Sequence, residues 1–266
     1  MTNYRITPII TGFTHTSKGD YLYHHSVHQF YDTEGYLELP VTVFLVQGGG
    51  KNILIDTGMS DTERAGKYHH PGSVQPEGYA IHEQLKKRGI ACCDIDTIVF
   101  THLHWDHVYN LEKFCNAQLY VQKREYEFAL NPIPLYYKSY EYPVLGIKPP
   151  FDGRKFNLIE STEDEIMDGI YVYLSAGHSI GHQTVVVNTK DGEYHCCGDL
   201  IFTYDNLKEV PQMHYNITPP GRFLNIAESW NSIADLKHRA KSPKFILPTH
   251  APEMIPLVES GVILGA

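Results

Sequence analysis

The sequence predicts an α/β fold, on three observations. Nine short segments have the apolar, β-branched or alternating character of strands, and three have helical periodicity. The residues able to carry chemistry, histidine above all, gather directly after strand-like segments. At 266 residues and 42% apolar composition the chain can bury a substantial core, and one domain spanning residues 1–266 is expected.

In order, the strand candidates are YRITPIITGF (4–13), LELPVTVFLVQ (37–47), NILIDTG (52–58), TIVFT (97–101), QLYVQ (118–122), IYVYLSA (170–176), TVVVN (184–188), EYHCCGD (193–199) and KFILPTH (244–250). Their Val, Ile, Tyr and Phe side chains suit a pleated surface. The helix candidates are GYAIHEQLKKRG (78–89), closed by Gly89, KREYEFAL (123–130), ended by Asn131-Pro132, and FLNIAESWNSIADLKHRA (223–240). Two stretches read as long loops. Residues 59–77 contain His69-His70-Pro71-Gly72, and residues 131–154 interleave Pro132, Pro134, Pro143 and Pro149-Pro150 with Tyr136, Tyr137, Tyr140 and Tyr142. Long loops in a compact domain tend to cover sites, so these tyrosines either pack on their own domain or line a pocket.

Charge narrows the partners. Twenty-two Lys plus Arg against 31 Asp plus Glu leave a formal charge of −9, which argues against nucleic acid and suits a small neutral or apolar substrate. MTNYRITPII has no basic segment followed by a long apolar one, and no stretch reaches the length needed to span a bilayer, so no membrane partner and a cytoplasmic location are expected. Five cysteines, with adjacent pairs Cys92-Cys93 and Cys196-Cys197, suit reduced thiols buried as small apolar side chains in or beside strands.

The densest chemistry lies in THLHWDH, residues 101–107, directly after Ile98-Val99-Phe100. Residues two apart in an extended segment point the same way, so His102 and His104 can converge on one ion. Asp106 and His107 fall where the chain turns and can face a second. Imidazole and carboxylate are ligands that zinc accepts, and two ions would need about three further ligands. GHSIGH (177–182), Asp199 and His250 each follow a strand candidate and can supply them.

THLHWDH, with LIDTG (54–58), GHQ (181–183), GD (198–199) and TH (249–250) in that order, resembles the metallo-β-lactamase superfamily. LPVTVFLV (39–46), IDTGM (55–59), VQKREYEFAL (121–130) and GHSIGHQ (177–183) resemble its N-acyl-homoserine lactonase branch. The resemblance implies an αββα sandwich with the site at one edge of two packed mixed sheets. It also implies two Zn2+, or other divalent ions, per chain. His102, His104 and His182 would hold one, Asp106, His107 and His250 the other, with Asp199 bridging them. By the same resemblance His178 is a neighbouring turn residue, and Asp56 a structural carboxylate bonding nearby backbone or ligand groups.

The expected chemistry is attack by a metal-bridging hydroxide on the carbonyl of a small lactone, with Asp106 or Asp199 moving the proton. Histidine at 104, where a redox di-iron site would carry glutamate, favours hydrolysis. Two departures from the branch bear on substrate. The tyrosine usual three residues beyond the bridging aspartate is Phe202, so Tyr204, Tyr109 or a loop tyrosine stands in for its hydroxyl, or the substrate differs. The usual Ala-Gly-Gly after the motif is Val108-Tyr109-Asn110. Trp105, Tyr109, Phe202, Tyr136 and Tyr137 are the candidate lining residues, with Tyr204 a candidate catalytic group. The rival readings are hydrolysis of another small ester, an aryl ester or a cyclic amide, and a non-catalytic protein that binds metal or a small molecule on the same scaffold. Exposed aromatic loops leave room for a homodimer.

Overall fold

The structure is a computed structural model that describes residues 2–266. Its first sheet has six strands in sequence order: β1 (Arg5–Ser17), β2 (Tyr36–Gly48), β3 (Lys51–Ile55), β4 (Thr97–Val99), β5 (Gln118–Gln122) and β6 (Phe156–Ile159). The long β1–β2 and β2–β3 pairs are antiparallel, whereas β3 to β6 run parallel. A second sheet holds β7 (Glu163–Met167), β8 (Ile170–Leu174), β9 (Gln183–Thr189), β10 (Gly192–Gly198) and β11 (Ile246–Pro248), in the order β11-β10-β9-β8-β7.

Alternation along buried strands builds the layers. Ile53, Ile55 and Val99 join Val172, Val185, Val187 and Cys196 in a core between the two sheets. Leu54 and Ile98 face the other way. They pack with Leu85 of the helix Ile81–Lys87 and Ala129 of the helix Lys123–Leu130. On the far side, Cys197 and Ile246 pack with Ile233 and Leu236 of the helix Ile226–Ala240. Two mixed sheets flanked by helices result, because strands buried on both faces need apolar residues at even and odd positions alike.

In chain order the α-helices are α1 (Lys18–Tyr21), α2 (Thr62–Tyr68), α3 (Ile81–Lys87), α4 (Lys123–Leu130), α5 (Ile226–Ala240) and α6 (Met254–Glu259). The segment 59–77, expected as loop, thus contains α2, whose N-cap Asp61 accepts from the Arg64 amide at 2.9 Å. Cys196 and Cys197 are buried on opposite faces of β10, but Cys92 and Cys93 differ from expectation: they begin a 3-10 turn, and Cys93 is exposed. No disulfide is formed by any cysteine. Among the described residues no helix is long and apolar enough to cross a membrane.

Candidate metal centre

The loops after β3, β4, β8, β10 and β11 leave the carboxyl ends of their strands and meet at one edge of the two sheets. Asp56, following β3, has φ 60°, a left-handed conformation that aspartate tolerates better than most residues. It accepts from the Thr101 amide and hydroxyl, both at 2.8 Å, and its Oδ2 lies 2.8 Å from His107 Nδ1. His250 Nδ1 donates to the Pro40 carbonyl at 2.8 Å. A carbonyl can only accept, so the tautomer is set and His250 Nε2 turns inward.

Three groups of ligand-type side chains converge, all of them buried: His102, His104 and His178; His102, His107 and Asp199; Asp106, His107 and His250. Within each group the ligand atoms lie within 4.8 Å of one another. Asp199 stands between them. Its Oδ1 is 3.0 Å from His107 Nε2 and 3.3 Å from His250 Nε2, while its Oδ2 is 3.4 Å from His178 Nε2 and 4.0 Å from His102 Nε2. The Nε2 atoms of His102, His104 and His107 are buried without a hydrogen-bond partner. An orphaned buried nitrogen is costly, and a divalent cation satisfies several at once, so the donor set fits a metal.

The histidine of GHSIGH grouped with His102 and His104 is His178, its Nε2 3.0 Å from His104 Nδ1, while the ring of His182, the expected ligand, lies 5.2 Å from that of His102. His182 Nδ1 lies 2.9 Å from Ser175 Oγ and 3.1 Å from the Ser175 carbonyl, and its Nε2 accepts the Asp199 amide at 3.2 Å. His182 thereby ties Ser175, at the end of β8, to the backbone of Asp199. Spacing in GHSIGH could not choose between them. At Gly177 (φ 136°) a Cβ would strike the backbone of Ser229, so the loop that carries both histidines lies flush against α5.

Glu125, on α4, binds the two ligand loops together. Its Oε1 accepts from the Leu103 amide (3.1 Å) and the Tyr140 hydroxyl (2.8 Å), and its Oε2 from the Ser179 hydroxyl (2.8 Å) and the Gly181 amide (2.9 Å).

Of the expected lining residues, only Trp105 faces the cavity, stacked on His69 at 4.1 Å. The hydroxyl of Tyr204 is donated to the Ile246 carbonyl at 2.6 Å, away from the centre. Tyr109 lies under Arg64, whose guanidinium is 5.4 Å from its ring, Tyr136 is in the core, and Tyr137 stacks on Tyr142. Phe202 is fully buried and packs flat on His250 at 5.8 Å, so it backs a ligand and leaves substrate contact to other side chains.

The polar side chains that do reach the cavity beside Asp106, His178 and Asp199 include Tyr21, His70 and Arg222. Tyr21 meets Phe202 edge-on at 5.5 Å, and its hydroxyl is 2.9 Å from His70 Nε2. Burial raises the Tyr21 pKa, so the phenol keeps its proton, and burial pushes His70 down to about 4, so its ring is neutral. His70 was signalled by the loop 59–77; Tyr21 and Arg222 had no motif to reveal them.

The family model for the metallo-beta-lactamase superfamily matches residues 36–250. The N-acyl homoserine lactonase AiiA of Bacillus thuringiensis subsp. kurstaki is 31% identical over 198 residues, 71% of this chain and 75% of the relative. The N-acyl homoserine lactonase AttM of Rhizobium radiobacter is 25% identical over 231 residues, 81% and 83% of the two chains. A solved N-acyl homoserine lactone hydrolase, with the product N-hexanoyl-L-homoserine bound at its catalytic metal centre, superposes with a TM-score of 0.75 at 25% identity, over 97% of each chain.

Proposed function

The chain belongs to the metallo-β-lactamase superfamily, and from that premise we propose that it is a dinuclear metal hydrolase, with zinc the expected metal, that opens a small cyclic ester of the acyl-homoserine lactone type. The observation that carries the dinuclear reading is the placement of Asp199, with Oδ1 toward His107 and His250 and Oδ2 toward His178 and His102. His102, His104 and His178 would hold one cation, Asp106, His107 and His250 the other, and Asp199 both. When bound, the ions acidify water to give a nucleophile at neutral pH and draw electron density from the ester carbonyl.

The chain's own residues orient the substrate and handle the proton. Trp105 and Ser139 wall the cavity, which is about 40 Å³ at the metal cluster and admits only the end of a substrate. Tyr21 replaces the hydroxyl missing at Phe202: as a protonated phenol it donates a hydrogen bond to the ester carbonyl, with His70 accepting from it at rest. Asp106 keeps an ionised carboxylate. Burial works against its charge, but the hydrogen bond from His250 and the positive charges of His107 and His250 hold it below the usual carboxylate range. With Asp199 it is one of the two carboxylates at the centre that would take the proton and pass it to the leaving alkoxide.

The test is a pH-indicator assay of lactones, linear esters, aryl esters and cyclic amides. Lactones should be the best substrates, chelation should remove the activity, and Tyr21→Phe should lower kcat on the order of a hundredfold, the scale of one lost oxyanion donor. Preference for linear or aryl esters would overturn the cyclic-ester reading. Full activity of Tyr21→Phe would remove Tyr21 from the mechanism.

The two ligand sets should also load differently with pH. Burial opposes a charge on His250, but the Asp199 and Asp106 carboxylates outweigh it and push its pKa up to about 9. Burial takes His178 down to about 4. A cation must displace the proton of the first ring and none from the second above pH 6. Burial likewise opposes a charge on His107, yet the Asp199 and Asp56 carboxylates raise it well above the usual histidine range, so affinity at the Asp106, His107 and His250 set should rise by about a hundredfold per pH unit between pH 6.5 and 9, two protons being released. The other set should change little. Chelator-competition titrations measure both, and equal slopes would contradict the assignment.

A further inference from the structure

The approach to the metal cluster has a charge opposite to that of the whole chain. A cavity of about 670 Å³ opens outward from the deeper one, and Tyr21, His70, Trp105, Ser139 and Arg222 line both. The chain's formal charge is −9, yet this cavity presents Arg222 and Lys138 against one carboxylate, Asp20. His24, His25 and His28 add ring nitrogens on the same wall. Among the described residues neither Arg222 nor Lys138 is paired with a carboxylate. Tyr21, Trp105, Leu135 and Phe223 give the cavity apolar surface for the body of a substrate, while two unpaired cations in a cleft concentrate field on an anion.

Arg222 is also held in place. Gly221 donates its amide to the Tyr21 carbonyl at 3.0 Å, and His24 donates to the Pro219 carbonyl at 2.8 Å. A Cβ on Gly221 would fall 2.7 Å from the Asp20 carbonyl carbon, so the loop lies flush against α1. The guanidinium sits 5.9 Å over the Tyr21 ring, where the two cavities join. Its planar donors match a carboxylate better than an ammonium does.

We infer that the substrate carries an anionic oxyacid group, in the simplest case a carboxylate, on the outer-cavity side of the scissile carbonyl, and that Arg222, where the two cavities join, receives it together with Lys138 of the outer cavity. The inference rests on the cyclic-ester reading for the other end of the molecule.

Calorimetric titration of the metal-loaded protein with two ring-opened compounds, N-succinyl-homoserine and N-hexanoyl-homoserine, reads the preference without turnover. The succinyl compound should bind about tenfold more tightly, the contribution of one charge-assisted contact. Arg222→Ala should bring the two affinities within about a factor of two, and Arg222→Lys should restore part of the preference, because it returns charge without the fork. Lys138→Ala should fall between them. Equal affinities in the unaltered protein, or a preference that survives Arg222→Ala, would overturn the inference. Turnover of the two parent lactones is measured in parallel: hydrolysis of neither would refute the cyclic-ester reading alone, since the binding arm still decides the anion pocket.

Discussion

Replacing Asp199 with alanine is expected to lower kcat/KM by at least about a thousandfold, the scale of losing an essential catalytic group. Two oxygens of one carboxylate face two separate ligand sets, so a single substitution weakens both. Asp199→Asn separates bridging from shape. The amide keeps the volume but offers one oxygen, and its NH2 group repels a cation on the side it faces. That variant should retain about one metal per chain and the alanine variant less, with metal analysis and turnover measured on the same preparations. Wild-type turnover and metal content in Asp199→Ala would refute the bridge.

The second large effect is expected at Glu125, which touches no ligand side chain. Its carboxylate accepts four hydrogen bonds from groups that reach the H-x-H segment, the GHSIGH loop and Tyr140. Glu125→Ala strands these donors in a dry interior and should destabilise the fold by about 3–5 kcal/mol, a fall in Tm of about 10 °C. The same change should release His104 and His178 from their common orientation and weaken metal retention. Glu125→Gln keeps the side-chain volume but turns an NH2 group against two of the donors, so it should fall between wild type and alanine. Thermal melts with parallel metal analysis decide. An unchanged metal content in a Glu125→Ala protein that still folds would reduce Glu125 to packing.

Much of this was readable from the residues. Every strand with a β-branched or apolar run was legible, and α4 was legible to its end residues because Asn131-Pro132 stops it. Strands β6 and β7 were not: FNLI is short, and EDEIM at the sheet edge carries three acidic residues, so neither has an apolar run. In the site, THLHWDH, Asp199 and His250 are ligand-type residues at strand ends, a local property that spacing records. The loop that carries His178 and His182 is seated by a close contact of Gly177 with α5, which lies some fifty residues away in the chain and leaves no local pattern. Tyr21 and Arg222 are brought to the cavity by the docking of the Gly221 loop on α1, a tertiary event without a local pattern. The loop tyrosines misled for the converse reason, since burial of an aromatic residue says nothing of which cavity it faces.

One brace seen in the structure bears on how such a site changes over time. Glu141 is fully buried, receives Arg64 of α2 at 2.5 Å and lies 2.9 Å from His69 Nε2, and His69 in turn stacks on Trp105. Trp105, flanked in the chain by His104 and Asp106, donates its amide to the Ser139 carbonyl at 2.8 Å. The walls of the vestibule and the ligands of the centre are thus one mechanical unit. Substitutions at Arg64 or His69 and at Glu141 are therefore expected to be epistatic, and a change of substrate range made through these residues is expected to alter the hold on metal in the same step.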